Sequence, residues 1–462
     1  MVIYGIIHKK AIIVMKGVVK HAFSGGYSMG YIFEKKYECI SESKIQEIQS
    51  ERLKKQVICA YEKLPFYRDR MNKMGVTPHD IKTINDIVKL PFMERKDLIE
   101  NYPYGTLVIP TRNIARVQGT SGTSGNLLFA AYSQNDISIW AKCMGRCLAM
   151  AGITSNDTLQ ICHGYGLFTG GIGVDYGANL IGATVIPMST GDTKRQIMAL
   201  KDLNVTAIAC TPSYALTIGE ALENNNLRSK IKLRVGVMGA EPWTKQLQKK
   251  IEQSLNIECF DLYGMCEVLG PGIAMECETH SGLHIHHDHF FPEIVNPLTG
   301  TTLPDSTYGE LVISTLTKEA MPLLRYKTHD ITSIEHLPCS CGRTSPRISK
   351  LVGRTDDMRV VRGVNVYPSQ IETILLNVPG VIAGNYLLVI EKNGYVDKLT
   401  IQVEVDEKTY EHLDLQEKTK NNIYWAAKES IGLKVMVELL APHTFRRSDG
   451  KTSHMVDKRI MS

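Results

Sequence analysis

Four short apolar runs decide the fold of this chain: ATVIPM at residues 183–188, VTAIACTP at 205–212, RVGVMGAE at 234–241 and IECFDLYG at 257–264. Polar segments of helix length separate them. Runs spaced in this way are typical of a buried parallel sheet in an α/β architecture. We therefore predict an α/β fold whose ligands bind at the strand ends.

The segments on either side of these runs indicate other structures. SESKIQEIQSERLKKQVICAYEKLPF, from Ser41, predicts a core-facing helix with capping serines before it and a proline after it. Its predicted apolar stripe consists of Ile45, Ile48, Val57, Ala60, Tyr61 and Leu64. YLLVIEKNGYVDKLTIQVEV, from Tyr386, predicts an antiparallel hairpin in a separate α+β domain.

Charges and glycine interrupt the apolar pattern at KLVGRTDDMRV, from Lys350, which marks the predicted domain boundary. We divide the chain into an extension at residues 1–30, a large N-terminal domain at 31–353 and a small C-terminal domain at 354–462. The extension mixes apolar runs with Lys9, Lys10, Lys16 and Lys20, too often for a signal-peptide core. It is either an amphipathic surface helix or an upstream start or processed extension outside the fold.

Composition limits the classes of function. The 462 residues are 43% hydrophobic and 22% charged, which excludes a small disulfide scaffold and a disordered tail. The formal net charge of +5 offers no strong field for a nucleic acid. Eleven cysteines, an odd number, indicate reduced thiols and a cytoplasmic protein. The apolar stretches are far shorter than the roughly 20 residues that a membrane span needs.

A run of glycine and hydroxyl residues, Gly119-Thr-Ser-Gly-Thr-Ser-Gly125, follows the strand-like IARVQ. Backbone N–H groups and hydroxyls in such a run can surround phosphate oxygens. A plain flexible loop explains the run equally well. It is not a Walker loop, because Asn126 follows it instead of lysine.

Acidic residues follow two of the predicted strands, in Gly239-Ala-Glu241-Pro and Tyr263-Gly-Met-Cys-Glu267. A carboxylate at such a strand end is placed to hold Mg²⁺ beside a triphosphate, and a tyrosine ring there can stack on a base. Taken alone, a surface glutamate explains the pattern as well. Acid and arginine pairs also recur in the stretches 325–330, 353–358 and 362–372, where simple salt bridges are the alternative.

Taken together, the ordered motifs resemble the phenylacetate-CoA ligase family of adenylate-forming enzymes, from about Ile32 to the C-terminus. The motifs that carry the resemblance are GTSGTSG at 119–125, HGYGLFTGGIG at 163–173, TPSY at 211–214, GAEPW at 239–243, YGMCEVLGPG at 263–272, LTKEAMP at 316–322 and the stretch 353–372. The resemblance implies a large N-terminal domain with mixed or parallel sheets and a small mobile C-terminal domain. It also implies two half-reactions, formation of an acyl-adenylate and transfer of the acyl group to coenzyme A.

The resemblance assigns roles to individual residues. Glu267 falls on the Mg²⁺ ligand, Asp330 on the acceptor for the ribose hydroxyls, Arg354 on the arginine after the last large-domain strand, and Asp356 on the hinge. Lys451, in the sequence RSDGK, falls on the lysine that stabilises adenylation. The phosphate loop and the adenine site comprise Thr120, Ser121, Gly122, Thr123, Ser124, Gly125, Gly239, Ala240, Glu241 and Tyr263.

A lysine is physically suited to this step because charge builds up on the α-phosphate and carboxylate oxygens during attack, and a delivered cation stabilises that state most. Without the resemblance, Lys451 reads as a solvated residue of a basic tail. Two positions depart from the family. The loop continues with Asn126-Leu127 instead of Lys-Pro, so a cation near the phosphates is missing, and Cys266 replaces a hydroxyl residue before Glu267.

The acid pocket is expected around Tyr165, Phe168 and Gly239, where aromatic walls and glycine gaps admit a flat aryl ring. Core packing is the alternative explanation for the two aromatic residues. The motif places no acidic residue to bind an amino group, which disfavours an amino-acid substrate.

Cysteines and histidines also indicate a metal site. Cys339 and Cys341 form a C-x-C pair, and Cys277 and His284 precede them by about sixty residues. Thiolate and imidazole are the ligands that structural Zn²⁺ prefers. We predict a structural zinc site at these four residues, with unliganded surface thiols and histidines as the alternative.

The sequence as a whole predicts an ATP-dependent aryl-acid CoA ligase, acting on phenylacetate or a close relative, with Mg²⁺ and a structural Zn²⁺. Its partners are the acid, ATP and coenzyme A, with no nucleic acid and no membrane span; a homodimer stays open. Two alternatives stay open: an adenylyltransferase of the deazaflavin-coenzyme-adenylating type, and a non-catalytic binding protein, which the missing loop lysine suggests.

Overall fold

The computed structural model describes residues 30–120, 128–355, 359–362, 364–393, 396–445 and 454–460. The expected extension, residues 1–30, falls outside this range apart from Gly30. Within the described residues, no helix is both long enough and apolar enough to cross a bilayer.

The first part of the chain is helical. Its α-helices are α1 (Lys35–Glu38), α2 (Glu42–Lys63), α3 (Pro65–Lys73) and α4 (Arg95–Glu100), and its 3₁₀ helices are Pro78–Asp80, Ile84–Lys89 and Thr111–Asn113. The predicted helix from Ser41 is therefore present as α2, and Pro65 begins α3 in the first position, where its missing N–H has no cost.

The buried stripe of α2 differs in part from the predicted one. Ile48 and Tyr61 are only half-buried, whereas the rest of the predicted stripe is buried. Gln49 and Leu53 are buried instead. Gln49 donates from Nε2 to the main-chain oxygen of His287 at 2.8 Å. An apolar pattern misses such a position, because a buried amide with a hydrogen-bond partner is tolerated in a core.

The large region contains a hairpin and two sheets. Its strands are β1 (Arg116–Gly119), β2 (Phe129–Tyr132), β3 (Thr158–Ile161), β4 (Thr184–Ile186), β5 (Ala207–Cys210), β6 (Val235–Gly239), β7 (Glu258–Met265), β8 (Gly270–Glu276), β9 (Leu283–Ile285), β10 (Phe290–Val295), β11 (Gly309–Thr315), β12 (Tyr326–Thr332), β13 (Ile334–Glu335), β14 (Arg347–Ile348) and β15 (Gly353–Arg354). Its helices are α5 (Gln134–Met150), α6 (Thr169–Ile181), α7 (Thr193–Asp202), α8 (Pro212–Asn224), α9 (Lys245–Leu255) and the 3₁₀ helix Arg228–Lys230.

The nine-stranded sheet has the order β13-β14-β9-β8-β7-β6-β5-β3-β4. Strands β4, β3, β5, β6 and β7 pair in parallel, and β7, β8, β9, β14 and β13 pair antiparallel. All four apolar runs of the opening prediction are strands of its parallel half. A second sheet, β10-β11-β12-β15, is antiparallel. The nine-stranded sheet is therefore mixed, as predicted, whereas the second sheet is wholly antiparallel.

The C-terminal region folds as a smaller α+β unit with its own core. Its elements are β16 (Arg359–Val361), β17 (Val364–Val366), α10 (Pro368–Leu375), β18 (Val381–Asn393), β19 (Val396–Val405), α11 (Glu407–Glu411), α12 (Leu413–Ile431), β20 (Met436–Leu440), β21 (Met455–Asp457) and the 3₁₀ helix Lys458–Ile460. Strands β18 and β19 form the predicted antiparallel hairpin, with Tyr386 opposite Val403. Their apolar faces pack with α12 through Ile423 and Ala427.

The two regions meet beside α9 and α10. Asn377 donates from Nδ2 to Oε1 of Gln246 at 3.2 Å, and Leu376 packs against the core of the large region. A cavity of about 600 Å³ lies at this junction, with Trp243 and Lys350 on one wall and Gln370 on the other.

Candidate active site

Four parallel strands, β3, β5, β6 and β7, end at one edge of the nine-stranded sheet. Their registers are continuous: Ile161 pairs with Ala209, Ala209 with Val237, and Gly239 with Leu262. The loops that follow these strands are therefore brought together. In open α/β sheets, this edge is where ligands bind.

Gly239, Ala240 and Glu241 follow β6 at this edge. A Cβ on Gly239 would lie 2.6 Å from the main-chain oxygen of Leu262, so no larger residue fits. Ala240 has φ of 71°, a conformation that alanine rarely adopts. Glu241 accepts hydrogen bonds from Ser213, at 3.0 Å from Oγ and 3.2 Å from the main-chain N–H. These bonds fix the Glu241 carboxylate at the start of α8.

Tyr263, Asp330 and Arg354 form one hydrogen-bonded group. Tyr263 donates from its hydroxyl to Oδ2 of Asp330 at 2.7 Å, and Arg354 donates to Oδ1 at 2.8 Å. Asp330 and Arg354 are register partners on β12 and β15. Burial and the Asp330 charge raise the pKa of Tyr263 well above its usual value, so the hydroxyl stays protonated. Each carboxylate oxygen has a second lone pair that can accept from a ligand hydroxyl.

Glu267 lies just after β7 and is paired with a residue from the N-terminal helices. Arg95, the first residue of α4, approaches Oε1 of Glu267 to 2.8 Å. The Glu267 side chain is 11% exposed and the Arg95 side chain 25%. A hard divalent cation prefers carboxylate oxygens, so Glu267 has the donor type that Mg²⁺ requires. The arginine neutralises the charge of this carboxylate.

Lys318 is a site residue that the sequence reasoning did not assign. Its ammonium group donates to the main-chain oxygens of Glu267 and Val268, at 2.8 and 2.9 Å. It also lies 4.8 Å from the ring centroid of Tyr132. Burial lowers the pKa of Lys318 to about 8. The LTKEAMP motif contained the signal, but only the fold reveals that this lysine supports the chain at Glu267.

The hairpin β1–β2 carries the expected phosphate loop. Thr120 is buried, and its main-chain N–H donates to the oxygen of Leu128 at 2.9 Å. The N–H of Leu128 donates in return to Oγ1 of Thr120 at 3.3 Å. These two bonds close the base of the loop.

Eight further residues of interest lie outside the described residues, so the geometry of the site does not include them. They are Ser121, Gly122, Thr123, Ser124, Gly125, Asn126, Asp356 and Lys451. Their assigned roles stay predictions.

The motif expected to line the acid pocket is tied to this hairpin. The N–H of Gly119 donates to the oxygen of Leu167 at 2.7 Å, and Nε2 of Gln118 donates to the oxygen of Phe168 at 2.8 Å. Phe168 precedes α6 and is 40% exposed. The phosphate loop and the acid-pocket motif therefore share a common support.

Tyr165 is half-buried beside the start of α6. A Cβ on Gly171 would lie 2.7 Å from the Tyr165 ring, so the glycine makes room for the aromatic side chain. The Tyr165 hydroxyl donates to Oδ2 of Asp175 at 3.0 Å. Burial and the Asp175 charge raise the pKa of Tyr165, and its hydroxyl proton is already committed to this carboxylate.

Cys277, His284, Cys339 and Cys341 are brought together as the sequence predicted. Each offers one ligand atom, and these atoms all lie within 4.8 Å of one another. The sulfurs of Cys277 and Cys339 are 3.8 Å apart, and the Cys341 sulfur is 3.4 Å from Nε2 of His284. Two sulfurs about 2.3 Å from a tetrahedral Zn²⁺ are themselves about 3.8 Å apart. The donor set and its spacing fit zinc.

The surroundings of this cluster orient its imidazole. Nδ1 of His284 is 3.1 Å from the main-chain oxygen of Ser345, an arrangement in which Nδ1–H donates and leaves Nε2 as the ligand. The neighbouring His280 does not join the cluster. It lies between Glu258 and Glu276, with nitrogen–oxygen distances of 3.1 and 3.3 Å.

The fold and the site define the class of protein as an AMP-binding enzyme. The family model for AMP-binding enzymes matches residues 31–317, and the model for the C-terminal domain of AMP-binding enzymes matches residues 363–459. The chain is 39% identical to a phenylacetate-coenzyme A ligase of Thermus thermophilus over 93% of this chain and 100% of the relative. It is 41% identical to the one of Pseudomonas putida over 92% of this chain and 97% of the relative. The chain belongs to the phenylacetate-CoA ligase family.

A solved structure of a 2-hydroxyisobutyryl-CoA ligase in its postadenylation state has the same fold. The TM-score is 0.86 at 24% sequence identity, and the match covers 96% of each chain. The predicted architecture of a large AMP-binding domain and a smaller C-terminal domain is confirmed.

Proposed function

We propose that this protein joins an aryl acid of the phenylacetate type to coenzyme A at the expense of ATP. The acid carboxylate attacks the α-phosphate of ATP, which gives an acyl-adenylate and releases pyrophosphate. The thiol of coenzyme A then attacks the acyl carbon, which gives the thioester and releases AMP. The observation that carries the proposal is the placement of Tyr263, Glu267 and Asp330 beside the end of β7, in a chain about 40% identical to phenylacetate-CoA ligases over more than 90% of its length.

The ribose of ATP would bind at the Asp330 carboxylate. Tyr263 and Arg354 hold that carboxylate from two sides, so its remaining lone pairs point in a fixed direction. The adenine would lie along Gly239 and Ala240, where the backbone at β6 is free of bulky side chains. Thr120 fixes the base of the loop that would surround the phosphates.

Glu267 would hold the Mg²⁺ ion, which supplies charge neutralisation for the phosphate oxygens. Arg95 then exchanges its contact with Glu267 for solvent or for the nucleotide. Lys318 keeps the chain at Glu267 in place through its two main-chain hydrogen bonds. In the adenylation step, Lys451 would add a cation where negative charge develops.

The Cys277, His284, Cys339 and Cys341 cluster would hold a structural Zn²⁺. It connects the end of β8, strand β9 and the loop between β13 and β14. Because β8 runs antiparallel to β7, it ends at the sheet edge opposite the one where β5, β6 and β7 end. A closed set of four protein ligands leaves no position for a substrate, which argues for a structural role.

We further propose the domain boundaries, the hinge and the cellular location of this protein. The domains divide at residues 31–353 and 354–462, with the pivot at Asp356, and the small domain rotates between the two half-reactions. The enzyme works in the cytoplasm, where its many thiols stay reduced. A homodimer would be compatible with these roles.

The decisive experiment incubates purified protein with phenylacetate, ATP, Mg²⁺ and coenzyme A, and measures phenylacetyl-CoA and AMP by mass spectrometry. Equal amounts of the two products are expected. An adenylated product with no thioester would favour the adenylyltransferase alternative. Absence of acid-dependent pyrophosphate exchange across an aryl-acid panel would favour a non-catalytic binding protein.

A further inference from the structure

His163 occupies a special place at the sheet edge. It follows β3, where the main-chain N–H of Cys162 still bonds to the oxygen of Ala209 at 2.8 Å. Ile161 pairs with Ala209, and Ala209 pairs with Val237. Two residues further along each chain, His163 is therefore level with Gly239. The two residues are two strands apart, a separation of roughly 10 Å. It is also the first residue of the HGYGLF motif that supplies Tyr165 and Phe168 to the expected acid pocket.

The imidazole packs against the first turn of α6. A Cβ built on Gly170 would lie 3.2 Å from Cβ of His163 and 3.7 Å from its Nδ1. This helix covers the sheet face to which Leu159 and Ile161 belong. Side chains alternate along a strand, so His163 lies on the same face as Ile161, beneath the acid-pocket motif.

The His163 side chain is mostly buried, and no hydrogen bond or ion pair of its ring is found among the described residues. Its exposure is 7%, and its ring nitrogens are not among the fully enclosed polar atoms that lack a partner, so a ligand or water can reach them. Burial lowers its pKa to about 4, so the ring is neutral at physiological pH and offers one donor and one acceptor. A bound ligand can therefore replace water as the hydrogen-bond partner of this ring. Other buried histidines of this protein are paired, for example His289 with Thr317 at 2.8 Å.

The Tyr165 hydroxyl, the other polar side-chain group of the HGYGLF motif, is less available to a ligand than the His163 ring. The Tyr165 hydroxyl is committed to Asp175. Phe168 contributes an apolar surface. A polar substituent on a bound aryl ring would therefore find its partner at His163.

We propose that His163 is a specificity-determining residue of the acid pocket, and that the preferred acid carries a hydroxyl group on its aryl ring that hydrogen-bonds to the imidazole. The inference rests on the proposed function and names its substrate class. A hydroxyl matches a neutral imidazole because each of the two groups can both donate and accept. An acid without this hydroxyl would displace water from the imidazole and return no hydrogen bond to it.

The test compares kcat/KM for phenylacetate, its three ring-hydroxylated isomers and the three ring-methylated isomers, measured by thioester formation. The methyl compounds match the hydroxyl in size and lack its hydrogen bond. We expect one hydroxylated isomer to exceed both phenylacetate and its methyl counterpart by about tenfold, the value of one net hydrogen bond. His163→Phe should bring the hydroxyl-to-methyl ratio to about one, and His163→Gln should retain part of the preference.

Each outcome decides the inference. It is overturned if the wild-type protein prefers phenylacetate or a methylated isomer, or if His163→Phe keeps the hydroxyl preference; in both cases thioester formation shows that the proposed function survives. Should His163→Phe fail to fold, as judged by its melting curve, the wild-type ratio and the His163→Gln ratio decide. If none of the acids supports thioester formation or pyrophosphate exchange, the proposed function fails and the inference fails with it.

Discussion

The Cys/His cluster and the nucleotide edge lie in the same large region and are built in opposite ways. The four ligand atoms of the cluster lie within 4.8 Å of one another and come from neighbouring strands and one loop. At the sheet edge, the described groups come from two sheets, a hairpin and the N-terminal helices. Lys451, the lysine proposed to act in adenylation, falls within the match to the C-terminal domain. The cluster is contained in the large region, whereas the proposed nucleotide site draws on both regions.

The Cys/His cluster and the nucleotide edge also differ in how their charged groups are paired. At the nucleotide edge, Glu267 is paired with Arg95 and Asp330 with Arg354, both at 2.8 Å. Each pair can exchange one partner for a ligand. In the cluster, the thiol and imidazole groups face one another, and the Arg343 main-chain N–H donates to the Cys341 sulfur at 3.5 Å. This contrast suits a permanently bound ion in the cluster and exchanging substrates at the sheet edge.

The largest effect is expected for Lys451→Ala. Loss of the cation that meets developing charge should slow adenylation about a thousandfold, near 4 kcal/mol, while leaving the melting temperature unchanged. Pyrophosphate exchange measures this step. Conversion of preformed phenylacetyl-adenylate to the thioester should stay close to the wild-type rate.

The matched control is Lys458→Ala, which removes an exposed lysine that contacts Glu391 at 2.6 Å. It should leave both steps unchanged. Equal loss of both half-reactions in Lys451→Ala would contradict the role assigned to this lysine.

Cys341→Ser tests the Cys/His cluster as a zinc site. Removing one ligand should abolish stoichiometric zinc and lower the free energy of unfolding by about 3 kcal/mol, because metal binding and folding are coupled. Metal analysis and thermal melts measure the two effects, and a strong chelator should reproduce the second. ATP affinity should stay unchanged, because the cluster lies at the sheet edge opposite the proposed nucleotide site.

Cys59→Ser, a change of a half-buried thiol on α2, is the control and should keep both the zinc and the melting temperature. Protein purified without chelators that contains no zinc would end the metal assignment.

The sequence predicted those parts of the molecule that depend on residue type and short spacing. The strands β4 to β7 follow from apolar runs, and the four cluster residues follow from the preference of zinc for thiolate and imidazole. The structure places His284 in the cluster, whereas the nearby His280 pairs with Glu258 and Glu276 instead.

The missed features depend on contacts between residues far apart in the sequence. Arg95 reaches Glu267 across 172 positions, and Lys318 reaches the Glu267 oxygen across 51. Gln49 is buried only because His287 supplies a carbonyl oxygen. No local pattern contains these pairings, since the fold alone determines which residues meet.

Lys318→Met should have the next largest effect. The methionine fills the same space over Tyr132 but removes both hydrogen bonds to the chain at Glu267. We expect kcat/KM for ATP to fall about tenfold to thirtyfold, with a higher Mg²⁺ concentration needed for half-maximal activity. Lys89→Met, which removes an exposed lysine paired with Asp86, is the control. An unchanged Mg²⁺ dependence would show that Lys318 does not position the metal ligand.

Tyr263→Phe removes one of the two groups that hold Asp330. The carboxylate keeps its bond to Arg354, so the expected loss is about 1 kcal/mol, or about fivefold in KM for ATP. KM for the acid should not change. Isothermal titration with a non-hydrolysable ATP analogue measures the effect directly. A change confined to the acid would place Tyr263 in the acid pocket and not at the ribose.

Asn126→Lys should have the smallest effect and the opposite sign. It restores the cation that the family loop carries beside the phosphates. An exposed charge pair contributes about 0.5 kcal/mol, so KM for ATP should fall about twofold at low ionic strength. The gain should disappear in 0.5 M salt, because screening then limits the attraction between charges to a few ångströms. Asn126→Gln controls for side-chain length. A lower ATP affinity in Asn126→Lys would mean that another cation already occupies this position, and Arg95 would be the first residue to test because it lies 2.8 Å from Glu267.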